Sequence, residues 1–172
     1  RIFRNFLKRI EYKRHYFLFN IQDTLINSNL YWLNAVSARN WVKHETRIIL
    51  GELSNQGHSI NIVSRFQKSD HAKTLLKGAF PDVRFENILV YPTQQYKIRH
   101  VRDLIDYGKI ENDFIMFDSD REVLDNIKEN YPESRSYWVK KNLNYSVFNQ
   151  HVFDNNLIVS RPRNLLEIEP II

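Results

Sequence analysis

The sequence predicts an α/β domain of three layers, with helices on both faces of a parallel sheet. Short apolar segments alternate with helical segments of about 10–15 residues, the rhythm of successive βαβ units. Segment 113–117 is strongly apolar, as a strand becomes when helices cover both of its faces. At 42 % hydrophobic and 13 % aromatic residues, the chain can fill a core and is not a disordered composition. Its 172 residues suit one domain with extensions. No apolar run approaches the roughly 20 residues of a membrane-spanning helix.

The elements follow in order. Residues 2–13 place Ile2, Phe3, Phe6, Leu7 and Ile10 at helical spacing with basic residues between them, an amphipathic helix. Residues 16–20 form the first strand. Residues 30–56 are helical, with Leu30, Leu33, Val36, Trp41, Ile48, Ile49 and Leu53 as apolar markers, and Gly57 ends the stretch. Residues 59–64 form the second strand, and 69–78 a helix with Asp70 in its first turn. A strand at 85–91, a helix at 94–107 stopped by Gly108, a strand at 113–117, a helix at 120–130 and a strand at 136–139 complete the rhythm. Residues 141–172 break it. They hold a short helix near 145–152 and Arg161-Pro162-Arg163, and read as an extension leaving the domain. The expected division is 1–14 basic helix, 15–140 domain and 141–172 extension.

Charge is unevenly placed. Arg1, Arg4, Lys8, Arg9, Lys13 and Arg14 face only Glu11 within residues 1–15, so the whole net charge of +5 sits there. A neutral body with a basic arm predicts contact with an anionic partner such as RNA, lipid or an acidic protein surface. The chain starts with Arg, and its one methionine is Met116. That start implies a cleaved targeting segment, with mitochondrial import as the expectation and a cytoplasmic location otherwise, or numbering that covers part of a gene product. With no cysteine, disulfides and thiolate metal sites are excluded. The six histidines show no paired metal-ligand spacing, and the four glycines form no phosphate loop. Aromatic residues stand beside basic ones at Tyr12-Lys13-Arg14-His15-Tyr16 and at Tyr96-Lys97, a pattern that can stack on bases.

The chemistry-bearing segments come in a fixed order. Tyr16-Phe-Leu-Phe-Asn20-Ile-Gln22-Asp-Thr24-Leu25 is an apolar strand leading into Asn-x-Gln-x-Thr. Ile60-Asn-Ile-Val-Ser64 is an apolar strand ending in a hydroxyl. Lys97 follows at a suitable spacing, and Phe114-Ile-Met-Phe-Asp118-Ser-Asp120-Arg-Glu122 is an apolar strand ending in acids. This order resembles the four motifs of the haloacid dehalogenase-like phosphatases over residues 15–140. The resemblance implies a three-layer αβα Rossmann-like parallel sheet, of the uncapped type because the spacing leaves no room for a large cap.

The resemblance also implies roles. Position 20 matches a nucleophilic Asp and position 22 an Asp acting as acid and base, yet Asn20 and Gln22 stand there. Thr24, Ser64 and Lys97 match phosphate contacts, with Lys97 alternatively a surface residue. Asp118 with Glu122, or with Asp120, matches the Mg²⁺ acids, with capping of the following helix as the alternative. Phe117 replaces a frequent Gly and crowds the site if it points inward. Asp23 stands where many members have Gly and, along an extended strand end, points away from the site.

The resulting expectation is a pseudoenzyme. Asn20 and Gln22 are degenerate, Thr24, Ser64 and Lys97 form a vestigial phosphate site, and Asp118 and Glu122 form a vestigial metal site without a metal. No cofactor is implied, and Mg only under the alternative of a divergent phosphatase. A phosphate or nucleotide sensor is the other alternative. The expected role is that of a structural or binding subunit of a larger assembly, such as a mitochondrial ribosome or membrane complex. Contacts to protein and RNA run through residues 1–14 and 141–172.

Overall fold

The computed structural model describes residues 14–26, 42, 44–93, 95–139 and 168–170. The elements are β1 (Tyr16–Phe19), α1 (His44–Asn55), β2 (Ser59–Arg65), α2 (Ser69–Ala79), β3 (Phe85–Tyr91), α3 (Tyr96–Asp106), β4 (Ile115–Asp118), α4 (Arg121–Asn130), β5 (Arg135–Val139) and β6 (Ile168–Pro170). The six-stranded sheet has the order β3-β2-β1-β4-β5-β6. β1 to β5 pair in parallel, and β6 joins β5 antiparallel.

Alternation along the strands sorts the side chains onto two cores. Phe17, Phe19, Ile60, Ile62, Ile115 and Phe117 pack against Leu50 and Leu53 of α1 and Leu75, Leu76 and Ala79 of α2. Leu18, Val63 and Met116 face the other way, onto Val101 and Leu104 of α3 and Val123, Leu124 and Ile127 of α4. Among the described residues two helices thus cover each face, which explains why Phe17–Phe19 and Ile115–Phe117 are apolar. The register pairs Phe19 with Phe117, and their rings stack at 5.3 Å. Tyr137 extends the stack at 5.2 Å from Phe117. Phe117 therefore lies in the α1/α2 core and does not crowd the site.

The strands and helices expected from the sequence over residues 59–139 are all present, with shifted ends. β4 runs two residues later at its start and includes Asp118. Asp120 sits one residue before α4 and caps it, accepting from the N–H groups of Glu122 and Val123. Gly57 (φ 86°) and Gly108 (φ 70°) take the left-handed conformation that ends α1 and α3. Residues 168–170 of the expected extension add a strand to the sheet. The helices expected at 2–13 and 145–152, and the first part of that at 30–56, lie outside the described residues.

Candidate functional site

β1, β2 and β4 point the same way, so their carboxyl ends reach one edge of the sheet. β1 and β4 are adjacent but far apart in sequence. The chain first builds outward through β2 and β3, then returns to β4 on the other side. Such a switch point leaves a crevice above the strand ends. Asn20 follows β1, Ser64 lies near the end of β2, and Asp118 ends β4.

α3 delivers the cation. Lys97, Val101 and Leu104 form its buried stripe, so Lys97 faces the sheet and is only 1 % exposed. Its Nζ lies 2.8 Å from Asp118 Oδ2 and 3.1 Å from Asn20 Oδ1. Ser64 Oγ donates to Asn20 Oδ1 at 2.9 Å and accepts from the Ile21 N–H at 3.1 Å. Asp118 Oδ1 accepts from the Asp120 N–H at 2.9 Å. Burial pushes the Asp118 carboxyl up, while the Lys97 ammonium and the Asp120 N–H pull it back.

The Asn20 amide is engaged at both ends. Its Nδ2 donates to the Gln22 carbonyl at 2.6 Å, and reaches Thr24 Oγ1 at 3.2 Å and Ser119 Oγ at 3.4 Å. A carboxylate in this pose would set an oxygen against the Gln22 carbonyl oxygen. The loop after β1 is arranged to take an amide. That loop turns tightly, with Thr24, Leu25 and Ile26 all donating to the Ile21 carbonyl. Asp23 sits at φ 57°, which accounts for a position where Gly is comfortable and Asp tolerable.

A cavity of ≈ 240 Å³ opens here, lined by Asn20, Gln22, Asp23, Arg65 and Ser119. Every described lining residue is polar. Asp23, exposed at its left-handed position, is among the residues that line this cavity. The larger groove of ≈ 610 Å³ lies between α1 and the turn before β3, and no motif residue lines it.

The structure thus brings together Asn20, Thr24, Ser64, Lys97 and Asp118, with Gln22 at the rim. Lys97 is not a surface residue. Asp118 does not cap α4, a role Asp120 fills alone. Glu122 is exposed in the first turn of α4, away from the buried pair. Arg14 donates to the Gly57 carbonyl at 3.0 Å and pairs with Glu86 at the amino end of the sheet, so its charge is engaged within the domain. Arg1, Arg4, Lys8, Arg9 and Lys13 lie outside the described residues. Arg65 and Ser119 also line the site, and neither is among the expected site residues. Each directly follows a motif residue at a strand end, Ser64 and Asp118, and that adjacency was the available signal.

Residues suited to Mg²⁺ would present several anionic oxygens. The oxygens here are already occupied: Asn20 Oδ1 by Lys97 and Ser64, and Asp118 by Lys97 and the Asp120 N–H. Among the described residues, no three His, Asp or Glu side chains converge. The pair Lys97–Asp118 is electrically neutral, so a cation gains little by entering. This arrangement does not fit a Mg²⁺ ion.

No family's sequence profile matches the chain, and no curated protein matches it. Among solved structures it is similar to the crystal structure of the N-terminal part of the protein BF1531 from Bacteroides fragilis, containing a phosphatase domain complexed with Mg. The TM-score is 0.57 at 14 % identity, over 72 % of this chain and 35 % of that one. The chain therefore spans about a third of that neighbour, and the likeness speaks for the fold alone. The fold is α/β and Rossmann-like, as expected from the sequence. The expectation that the chain is not an enzyme is corrected: a structural neighbour contains a phosphatase domain, and two amides in place of acids do not show that activity has been lost.

Proposed function

We propose that this domain binds the phosphoryl group of a phosphate monoester at the carboxyl ends of β1, β2 and β4. One observation carries the reading: the buried Lys97–Asp118 pair, bridged to Asn20 and Ser64, lies beside a cavity whose described lining is polar, with Arg65 on its wall. A guanidinium matches phosphate oxygens with paired donors, and Ser119 adds a hydroxyl. The cavity also supports hydrolysis. An acyl phosphate cannot form on the Asn20 amide, so water attacks phosphorus directly and Asp23 takes its proton. The ester P–O bond breaks, and the departing alkoxide receives that proton.

Calorimetric titration with inorganic phosphate, and turnover of p-nitrophenyl phosphate, test this. Phosphate should bind with millimolar or better affinity in the presence of a chelator, and Arg65→Ala should weaken it about ten-fold. Asp23→Asn should remove turnover while leaving binding in place. Absence of phosphate binding overturns the reading, and an unchanged rate in Asp23→Asn overturns the role given to that carboxylate.

A second reading places the domain in a larger mitochondrial assembly, a ribosome or a membrane complex, and rests on the +5 charge confined to residues 1–15. If RNA is the partner, its affinity should fall steeply with salt, and deleting residues 1–13 should flatten that slope. A slope that survives the deletion removes the RNA version.

A further inference from the structure

Beside the cavity, on the same face of the sheet, stands an aromatic pair that the phosphoryl site does not use. β2 and β3 pair so that Arg65 lies opposite Tyr91. Alternation puts both on the α3 side, the side of Val63 and Leu89. Arg65 Nε donates to the Pro92 carbonyl at 3.1 Å, so the cavity wall and the end of β3 are tied together. Tyr96, at the start of α3, stacks on Tyr91 with centroids 3.8 Å apart and planes 29° apart. The guanidinium of Arg99 lies 5.9 Å over the Tyr96 ring. The stack covers one face of Tyr91, yet the residue remains 40 % exposed.

A flat aromatic surface next to a phosphate-sized polar cavity describes the two ends of one ligand. The two strands lie about 4.8 Å apart, within reach of long side chains. That separation suits a sugar bridging a phosphate held at Arg65 and a planar ring laid on Tyr91. Stacking on an aromatic side chain is tolerant of base identity, because every base has a π-face. Arg65 and Arg99 flank the platform with positive charge, which suits an anionic ligand. We infer that the site takes a nucleoside monophosphate, with its phosphate at Arg65 and Ser119 and its base stacked on Tyr91. This rests on the phosphoryl-binding reading above and specifies its ligand.

Titration of the whole chain with inorganic phosphate, ribose 5-phosphate and AMP separates the two ideas. AMP should bind about ten-fold more tightly than ribose 5-phosphate. Tyr91→Ser should erase that advantage and leave phosphate affinity unchanged, while Tyr91→Phe, which keeps the ring, should retain it. Saturation-transfer NMR should place the base protons, more than the ribose protons, in contact with the protein. Equal affinities for AMP and ribose 5-phosphate overturn the base platform and leave the phosphoryl site standing. An AMP advantage that survives Tyr91→Ser, in protein with an unchanged melting temperature, also overturns it. If none of the three ligands binds, both readings fall.

Discussion

At the scale of single residues, the site is held by Lys97. Its ammonium is 1 % exposed and meets one carboxylate and one amide oxygen. Burying a charge pair gains little over a hydrophobic pair, but breaking one strands its partner. Lys97→Met should therefore destabilise the fold by about 3–5 kcal/mol, measured by urea unfolding. The double variant Lys97→Met, Asp118→Leu should recover a large part of that loss. A single variant as stable as the parent would mean that Asp118 finds another partner. The order of motifs made Asn20, Ser64 and Asp118 legible as site residues. Lys97 was legible too, had the spacing 97, 101, 104 been followed, since it places Lys97 at the head of the buried stripe of α3. The turn conformation of Asp23 was not legible, since alternation assumes an extended chain and a left-handed residue breaks that assumption.

At the scale of elements, the amino ends of β1 and β2 are joined by histidines. The His15 N–H donates to His58 Nδ1 at 3.0 Å, and the two rings lie 5.3 Å apart. Burial, reinforced by the positive charges of His15 and Arg14, lowers the His58 pKa from 6.5 to about 4. The unfolded chain therefore takes this proton first. Stability from His58 is fully present above pH 6.5, falls as pH drops from 6.5 towards about 4, and falls no further below that. The urea midpoint measured across this window should decline by up to one proton's linkage, and His58→Gln should flatten the decline. An equal decline in the variant would assign the effect elsewhere. The elements themselves were read well from period and punctuation, because Gly57 and Gly108 mark real helix ends. Their exact ends were less legible, since Asp can either finish a strand, as Asp118 does, or cap a helix, as Asp120 does.

At the scale of the whole molecule, β1 and β4 lie at the centre of the sheet with neighbours on both sides, and β3 is an edge. β1 and β4 are almost wholly buried, whereas β3 is only half-buried along its length. Native-state hydrogen exchange should find the slowest amides at Leu18, Phe19, Met116 and Phe117, and faster ones along β3. Uniform protection across the sheet would contradict this gradient. The layered α/β architecture was legible from alternation alone. The antiparallel β6 was not: three residues carry no periodicity, and their place depends on the free edge of β5.

The crevice residues come from four distant parts of the chain. Ser64 lies 44 positions from Asn20, Lys97 lies 77 away, and Ser119 lies 99 away. No fragment short of Asp118 contains both halves of the buried pair. During synthesis, a nascent chain therefore has no pocket until β4 has emerged and closed against β1. If the proposed phosphate site is real, its occupancy becomes a readout of completed maturation, and a molecule truncated before β4 is blind to that ligand however much of its helical structure has formed.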